Sequence, residues 1–304
     1  MRLEERRIAD AAGTILTHNL ADSNGRRVLK KGILLTEKHL DVLADLGRPV
    51  VQVAILDADD VHEDEAATVL ATALETGELH LTRPAGGRVN LRSKVDGLLE
   101  IDADRLLELN MLPGITLATR RQHAVLGPGQ DTDNVGTLKI IPYAVPHHVL
   151  DQALGLAEPR PGIVEVRPFP QGSRVALLLV GEPAVQDKVR DAFEPPTRAR
   201  LEKLGADLSA VEGVTREESA ISQAAARLAQ ASDLLIIAGQ TSIMNEEDTT
   251  LRALRQAGAE MTLSGAPVEP GNLLALAYFP DTPVLCAPGC ARGLKRNVVD
   301  LVLP

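Results

Sequence analysis

Arg174-Val175-Ala176-Leu177-Leu178-Leu179-Val180 and, further on, Asp233-Leu234-Leu235-Ile236-Ile237-Ala238 decide the fold. Neither run alternates apolar with polar residues, as a strand with one wet face would. A continuous apolar run marks a strand buried on both faces, the environment of a parallel sheet covered by helices. Working outward, helical texture is expected over 195–204, ended by Gly205, over the Ala-rich 217–230, over 245–257, stopped by Gly258, and over 294–303. Shorter strand candidates fall at 261–263, 273–278 and 283–286. Alternating strands and helices predict an α/β domain with a doubly wound, mostly parallel sheet. Ligands of such sheets sit beyond the carboxyl ends of the strands, so the loops there are the place to look for binding residues.

The chain upstream has a different texture. Residues 1–81 mix strand-like runs (27–35, 50–56) with helix-like ones (37–46, 62–74), as a small α+β domain would. Residues 82–172 are cut by turn signals at Pro84, Gly86-Gly87, Pro113-Gly114, Gly127-Pro128-Gly129 and Pro142, which predicts a β-rich middle domain. A helix over 147–157 then leads into the linker Glu158-Pro159-Arg160-Pro161-Gly162, and the α/β domain takes 173–304. At 304 residues the chain exceeds the usual size of one domain.

Composition excludes several functions. Aromatics make up 2% of the chain, with no Trp, so stacking platforms for single-stranded nucleic acid are missing and the cores are aliphatic. A formal charge of −10 repels nucleic-acid backbones and anionic membranes. An anionic small ligand then needs local donors. No apolar run reaches the roughly 20 residues of a membrane span, and Met1-Arg2-Leu3-Glu4-Glu5-Arg6-Arg7 lacks the apolar core of a signal peptide. With only two cysteines, these features predict a cytoplasmic protein.

Three loops follow or precede strands of the α/β domain. The first runs Gly239-Gln240-Thr241-Ser242 to Asp248; small residues there expose backbone N–H groups, and two hydroxyls add donors, which suits an anion. Read on its own it is equally a helix start, with Asn245 as N-cap and Glu246, Glu247 and Asp248 favouring the first turn. The second runs Pro288-Gly289-Cys290-Ala291-Arg292-Gly293-Leu294-Lys295-Arg296. Cations opening a helix oppose its dipole, so a bound anion explains Arg292, Lys295 and Arg296 better than helix stability does; a solvated charged face is the alternative. The third is the turn Pro270-Gly271-Asn272, where Asn272 either donates to a ligand or closes the turn.

Other features carry less. Gly181-Glu182-Pro183-Ala184 follows the first strand without a GxGxxG pattern, so no dinucleotide is expected. Cys286 and Cys290 have no His or second Cys pair beside them, so no metal site is expected and both read as small apolar groups. His147-His148 reads as surface, as does the acidic run around Asp57–Glu65.

Together the three loops resemble the molybdopterin-binding domain of molybdopterin adenylyltransferases and molybdopterin molybdenumtransferases. Residues 237–248 look like its Gly-Gly-rich phosphate loop with a downstream acid, Pro270-Gly271-Asn272 is similar to its Pro-Gly-Lys turn, and Ala287-Pro288-Gly289-Cys290 to its Leu-Pro-Gly-Asn turn. The likeness is greater to the N-terminal half of molybdenum cofactor cytidylyltransferase-like chains, whose Pro-Gly-Asn-Leu-Leu, Pro-Gly-Cys-Ala-Arg and following Lys and Asn correspond to 270–274, 288–292, Lys295 and Asn297. Gly13-Thr14-Ile15-Leu16, 29–32 and 137–146 also resemble that subgroup.

The resemblance implies a molybdopterin or molybdenum-cofactor ligand whose phosphate is held by loop amides. It implies either a carrier or insertion factor for molybdoenzymes, or an enzyme inserting molybdenum into adenylylated molybdopterin. In the second case Glu182 and Asp248 would serve catalysis, placing Mg²⁺ or molybdate. Partners would be a molybdenum hydroxylase or a cytidylyltransferase, with homo-oligomers expected. A nucleotide-sensing module on the same fold is a third reading. Three departures from the family pattern bear on catalysis. Gln240 stands where the family has a second glycine, Asn272 where it has Lys, and Thr215-Arg216-Glu217 where the adenylyltransferases have an Asp.

Overall fold

The computed structural model describes residues 1–129 and 133–304, which divide into two compact units, Met1–Pro168 and Phe169–Pro304.

The N-terminal unit contains two hydrophobic clusters. One gathers Leu16, Leu35, Leu43 and Val53 between the helix Glu37–Asp45 and the strand Val50–Ile55, which pairs antiparallel with Arg2–Arg7 and Ile15–Leu16. The strand expected over 27–35 ends at Leu29, because Gly32 takes φ +84° and turns the chain. The other cluster packs the helices Glu63–Leu74 and His147–Ala157 against antiparallel strands that include Arg88–Ser93, Ile115–Thr119 and Asn134–Ile140.

A charged group is sealed in that second cluster. Glu63, 3% exposed, accepts from Lys139 Nζ at 3.3 Å. Lys139 also donates to the carbonyls of Ile140, at 2.7 Å, and Gly86. Burial pushes the Glu63 carboxyl up and the Lys139 ammonium only partly offsets it. A Cβ on Gly87 would stand 2.6 Å from the Ile140 carbonyl oxygen, so of the Gly86-Gly87 pair read as a turn signal, Gly87 is required by close approach.

The C-terminal unit is the α/β domain. Its strands are β1 (Arg174–Val180), β2 (Asp207–Val214), β3 (Leu234–Gly239), β4 (Glu260–Ser264), β5 (Ala275–Phe279) and β6 (Thr282–Cys286). Its helices are α1 (Gln186–Glu202), α2 (Glu218–Ala231), α3 (Thr249–Gln256) and α4 (Val299–Val302). One sheet holds all six strands in the order β2-β1-β3-β6-β5-β4; β2, β1, β3 and β6 run parallel, β5 alone runs against them, and the edge strand β4, antiparallel to β5, shares their direction. Alternate residues of β1 and β3 feed opposite cores. Leu178 and Ile237 lie under α2 and α3, and Leu177 and Ile236 lie under α1 and the C-terminal segment. The apolar runs of β1 and β3 are therefore buried on both sides.

Four elements differ from expectation. β2 was not anticipated: its residues are only half-buried, it lies at the sheet edge, and Ser209, Glu212 and Gly213 interrupt its apolar pattern. Helix α1 begins at Gln186 and runs through Pro195-Pro196 instead of starting there. Phe193, Pro196 and Leu201 are buried on its inner face, and that packing outweighs the backbone bonds the prolines forgo. Helix α3 starts at Thr249, capped by Asp248 and not by Asn245. The helix expected over 294–303 shrinks to the single turn α4.

Candidate functional site

Strand β1 hands the chain to one side of the sheet, through α1 to β2, whereas β3 hands it to the other side. The connections after two adjacent parallel strands therefore diverge between β1 and β3, and a crevice opens at their carboxyl ends. Because β5 and β4 are antiparallel, their turn joins the same end: Ala275 pairs with both Cys286, the last residue of β6, and Ser264, the last of β4. The segments 181–185, 239–248, 265–274 and 287–297 thus border one end of the sheet.

The first two meet directly. Gln240 N–H continues the ladder to the Val180 carbonyl at 2.8 Å, and the Glu182 N–H donates to Gln240 Oε1 at 3.2 Å. Gln186, at the start of α1, donates to the carbonyls of Gly181 at 2.6 Å and Val214 at 2.8 Å, tying the ends of β1 and β2 together. A Cβ on Gly213 would fall 2.4 Å from Gln186 Oε1, which accounts for the glycine that weakens β2 as a readable strand.

The 239 and 287 segments also touch. Arg292 Nη2 donates to the carbonyls of Gly239 at 3.3 Å and Gln240 at 3.1 Å, and its guanidinium lies 5.0 Å over the Phe193 ring. Ser242 Oγ stands 3.3 Å from where a Gly289 Cβ would project. Arg292 was expected to hold a phosphate; in the structure one of its nitrogens braces the neighbouring loop. The dipole argument for the cations does not hold either. Arg292 sits in a 3-10 turn (Gly289–Arg292), and Lys295 and Arg296 precede α4 in irregular chain. Lys295 and Arg296 are exposed and, among the described residues, form no ion pair or side-chain hydrogen bond.

What shapes this segment is Arg200, a residue the sequence reading passed over. It is 6% exposed and donates from α1 to the carbonyls of Ala291 at 3.0 Å and Gly293 at 2.7 Å, and to both Asp300 oxygens at 2.8 and 3.3 Å. Burial pushes the Asp300 carboxyl up, but the Arg200 guanidinium and the Asn297 N–H outweigh it and hold the group below the usual carboxylate range. Asn297, 3% exposed, donates to the carbonyls of Cys290 and Lys295 and accepts from Val299 N–H, so it ties the 290–295 turn to the start of α4. The Pro270-Gly271-Asn272 turn docks on the same point. Pro270 accepts from Val298 N–H at 3.0 Å, and Gly271 takes φ +128° with its missing Cβ facing Val298. Asn272 is exposed.

The two carboxylates stand differently. Asp248, 9% exposed at its side chain, caps Thr250 N–H at 2.8 Å and faces Arg216 at 3.5 Å. Glu182 is exposed at the β1 end. Among the described residues no three His, Cys, Asp or Glu side chains form a metal-binding group. The thiols are poor nucleophiles: burial pushes Cys286 up to about 12, and burial also raises Cys290. What remains uncommitted is a set of backbone donors. Among the described residues the N–H groups of Thr241, Ser242 and Ile243, and those of Gly289 and Lys295, have no backbone or side-chain acceptor. A loop with unpaired amides beside free cations suits an oxyanion. An apolar groove lined by Val175, Leu234, Leu276 and Leu303 lies at the opposite, amino-terminal end of the parallel strands and shares none of these loops.

Residues 176–304 match the family model described as "probable molybdopterin binding domain". The matched span lies within the C-terminal unit. Solved structures similar to the chain include the molybdopterin biosynthesis enzyme MoaB from Thermus thermophilus, at 21% identity and a TM-score of 0.34 over 43% of this chain and 90% of that one. The protein CinA from Thermoplasma acidophilum matches at 13% identity and a TM-score of 0.34, over 41% of this chain and 92% of that one. A molybdenum cofactor biosynthesis protein from Pyrococcus furiosus matches at 12% identity and a TM-score of 0.25. That match covers 96% of this chain, which spans 59% of the length of that protein. No curated protein matches the chain. Within that unit, the residues that depart from the expected pattern lie in the loops at this end of the sheet. Gln240 covers Gly181, Asn272 lies exposed in its turn, and Arg216 faces Asp248.

Proposed function

We propose that the chain takes part in molybdenum cofactor biosynthesis by binding molybdopterin, or the finished cofactor, at the loop end of its C-terminal sheet, as a carrier or insertion factor. The observation that carries this reading is the shared end of the sheet. There, loops with unpaired amides (Thr241, Ser242, Ile243, Gly289) border the same end as the 287–297 segment, which carries two exposed cations, Lys295 and Arg296, that no carboxylate neutralises among the described residues. In a chain of charge −10 such a spot is where a terminal phosphate is held. The residues fit a phosphorylated pterin: amides 241–243 and 289 with Thr241 and Ser242 for the phosphate, Pro288-Gly289-Cys290 as a close-approach wall, and Gly271 and Asn272 at the rim. The cofactor supplies the metal and redox chemistry when bound; this chain's residues bind it, orient it and shield it from water.

The carrier role is favoured over molybdenum insertion by Asp248, whose carboxylate is already committed to capping α3 and to Arg216. In the insertion alternative Glu182 is left as the carboxylate for Mg²⁺ or molybdate. A cytoplasmic setting, a homo-oligomer and a molybdenum hydroxylase or cytidylyltransferase as recipient complete the proposal. Oxidising the purified protein's extract should release a fluorescent pterin. Mixing the chain with adenylylated molybdopterin, molybdate and Mg²⁺ should then leave AMP bound in the substrate. Stoichiometric AMP release on turnover would instead make the chain an insertion enzyme.

A further inference from the structure

We propose that Gln240 is a displaceable plug that sets what the crevice accepts: its side-chain oxygen occupies the position a ligand oxygen would take on the Glu182 N–H. The inference rests on the anion-binding reading given above and deepens it.

The backbone of Gln240 is fixed from both sides. Its N–H is bonded to the Val180 carbonyl at 2.8 Å, and its carbonyl accepts from Arg292 at 3.1 Å. Only the side chain is free to move, and the residue is exposed. That side chain folds back over the end of β1. A Cβ on Gly181 would stand 3.6 Å from Gln240 Cβ and 3.7 Å from its Oε1, ordinary contact distances. The carboxamide oxygen then accepts the Glu182 N–H at 3.2 Å, near the long limit of a hydrogen bond. The amide lies between the diverging connections of β1 and β3, where the topology opens the crevice. A residue without a side chain at 240 would leave both the amide and the space over Gly181 open.

Holding a long side chain in one rotamer opposes this contact entropically. A phosphate oxygen makes a charge-assisted bond to the same N–H, roughly twice as strong as a neutral one. An anionic ligand therefore displaces the carboxamide, whereas a neutral one does not. Gln240 favours ligands that bring an oxyanion to Glu182, and it weakens binding of that oxyanion by the bond it must break.

The test is titration of the ¹⁵N-labelled full chain with inorganic phosphate, and separately with molybdopterin, following the backbone amide signals of the wild type, Gln240→Ala and Gln240→Glu. Gln240→Ala keeps the Cβ contact and the backbone. It should bring the Glu182 amide into phosphate's range with about three- to tenfold tighter binding, the factor that losing one neutral hydrogen bond gives. Gln240→Glu should weaken phosphate binding at that amide by at least a similar factor. Unchanged spectra outside 180–186 and 237–243 confirm that each variant folds. Equal phosphate affinity in all three proteins would overturn the plug. So would phosphate signals at 241–243 and 289 that leave Glu182 unmoved in every variant, although the anion site itself would stand. If neither phosphate nor molybdopterin moves any amide of 181–182, 239–246 or 288–297, the functional reading fails with it.

Discussion

Arg200 is the residue on which the geometry of the 288–297 segment turns, and replacing it by Met tests that directly. Met keeps much of the aliphatic stem in the core but removes every hydrogen bond of the guanidinium. Asp300 then loses its partner, and the Ala291 and Gly293 carbonyls lose their donor. Deleting one member of a buried ion pair costs roughly 3–5 kcal/mol. The Asp300 side chain is 27% exposed, so water recovers part of that and about 2–4 kcal/mol is expected. With a urea slope of about 2 kcal/mol per M, the unfolding midpoint of the C-terminal unit should fall by about 1–2 M. The chain has two tyrosines, one in each unit. In a Tyr143→Phe background the fluorescence of Tyr278 therefore reports the C-terminal unit alone.

A pH effect should accompany the loss. In the native chain the Asp300 carboxyl is held below its unfolded value of about 3.9, so the stability it adds is complete above that pH and is lost as the pH falls through its lower folded value. Without Arg200 that acid-side loss should shrink, because only the Asn297 N–H and the charge of Lys203 are left to oppose burial. A midpoint change under about 0.3 M, the range of an ordinary surface substitution, would refute the claim that Arg200 anchors the segment.

Three further outcomes follow from the same structure. Asp248→Ala should destabilise the C-terminal unit by about 0.5–2 kcal/mol through loss of the α3 cap, measured by urea unfolding, while molybdopterin affinity changes less than about twofold. A large affinity loss at unchanged stability would return Asp248 to the binding machinery. Lys139→Met leaves Glu63 buried and unpaired; unfolding of the N-terminal unit should cost roughly 3–5 kcal/mol less, with part of the loss recovered below the raised pKa of Glu63, where the carboxyl is neutral. A flat stability profile across the acid range would count against the pair. Gly271→Ala forces a side chain onto φ +128° and into Val298, so the Pro270-Gly271-Asn272 turn should lift off α4. Hydrogen exchange at Val298 N–H should quicken by an order of magnitude or more, and wild-type exchange there would show that the turn does not need Gly271.

The sheet was legible because two strands needed both faces covered, and Val175 to Val180 and Leu235 to Ala238 could not be read otherwise. The edge strand β2 was hidden because half-burial with Ser209, Glu212 and Gly213 produces neither clean alternation nor an apolar run. Helix boundaries failed where tertiary packing overrode local signals: Pro195 reads as a start, but Phe193 and Val189 are buried on the turns before it. The loops of the site were legible as strand ends, since glycine and proline there have no other task in an α/β unit. Their internal wiring was not. Nothing in Thr197-Arg198-Ala199-Arg200-Leu201 separates the buried Arg200 from the exposed Arg198, and nothing near Arg292 shows that the carbonyls of Gly239 and Gln240 lie within reach. A long cation finds its acceptor in three dimensions, so its role is set by topology and not by its neighbours in sequence.

Calorimetric titration of the full chain with molybdopterin, for the wild type and for Lys295→Ala with Arg296→Ala, tests the central claim most directly. Each charge-assisted contact to phosphate contributes about 1.5–3 kcal/mol, so removing both cations should weaken saturable one-to-one binding by about a hundredfold or more, with the urea midpoint unchanged. Absence of saturable binding to the wild type, or equal affinity in the variant, would contradict the account.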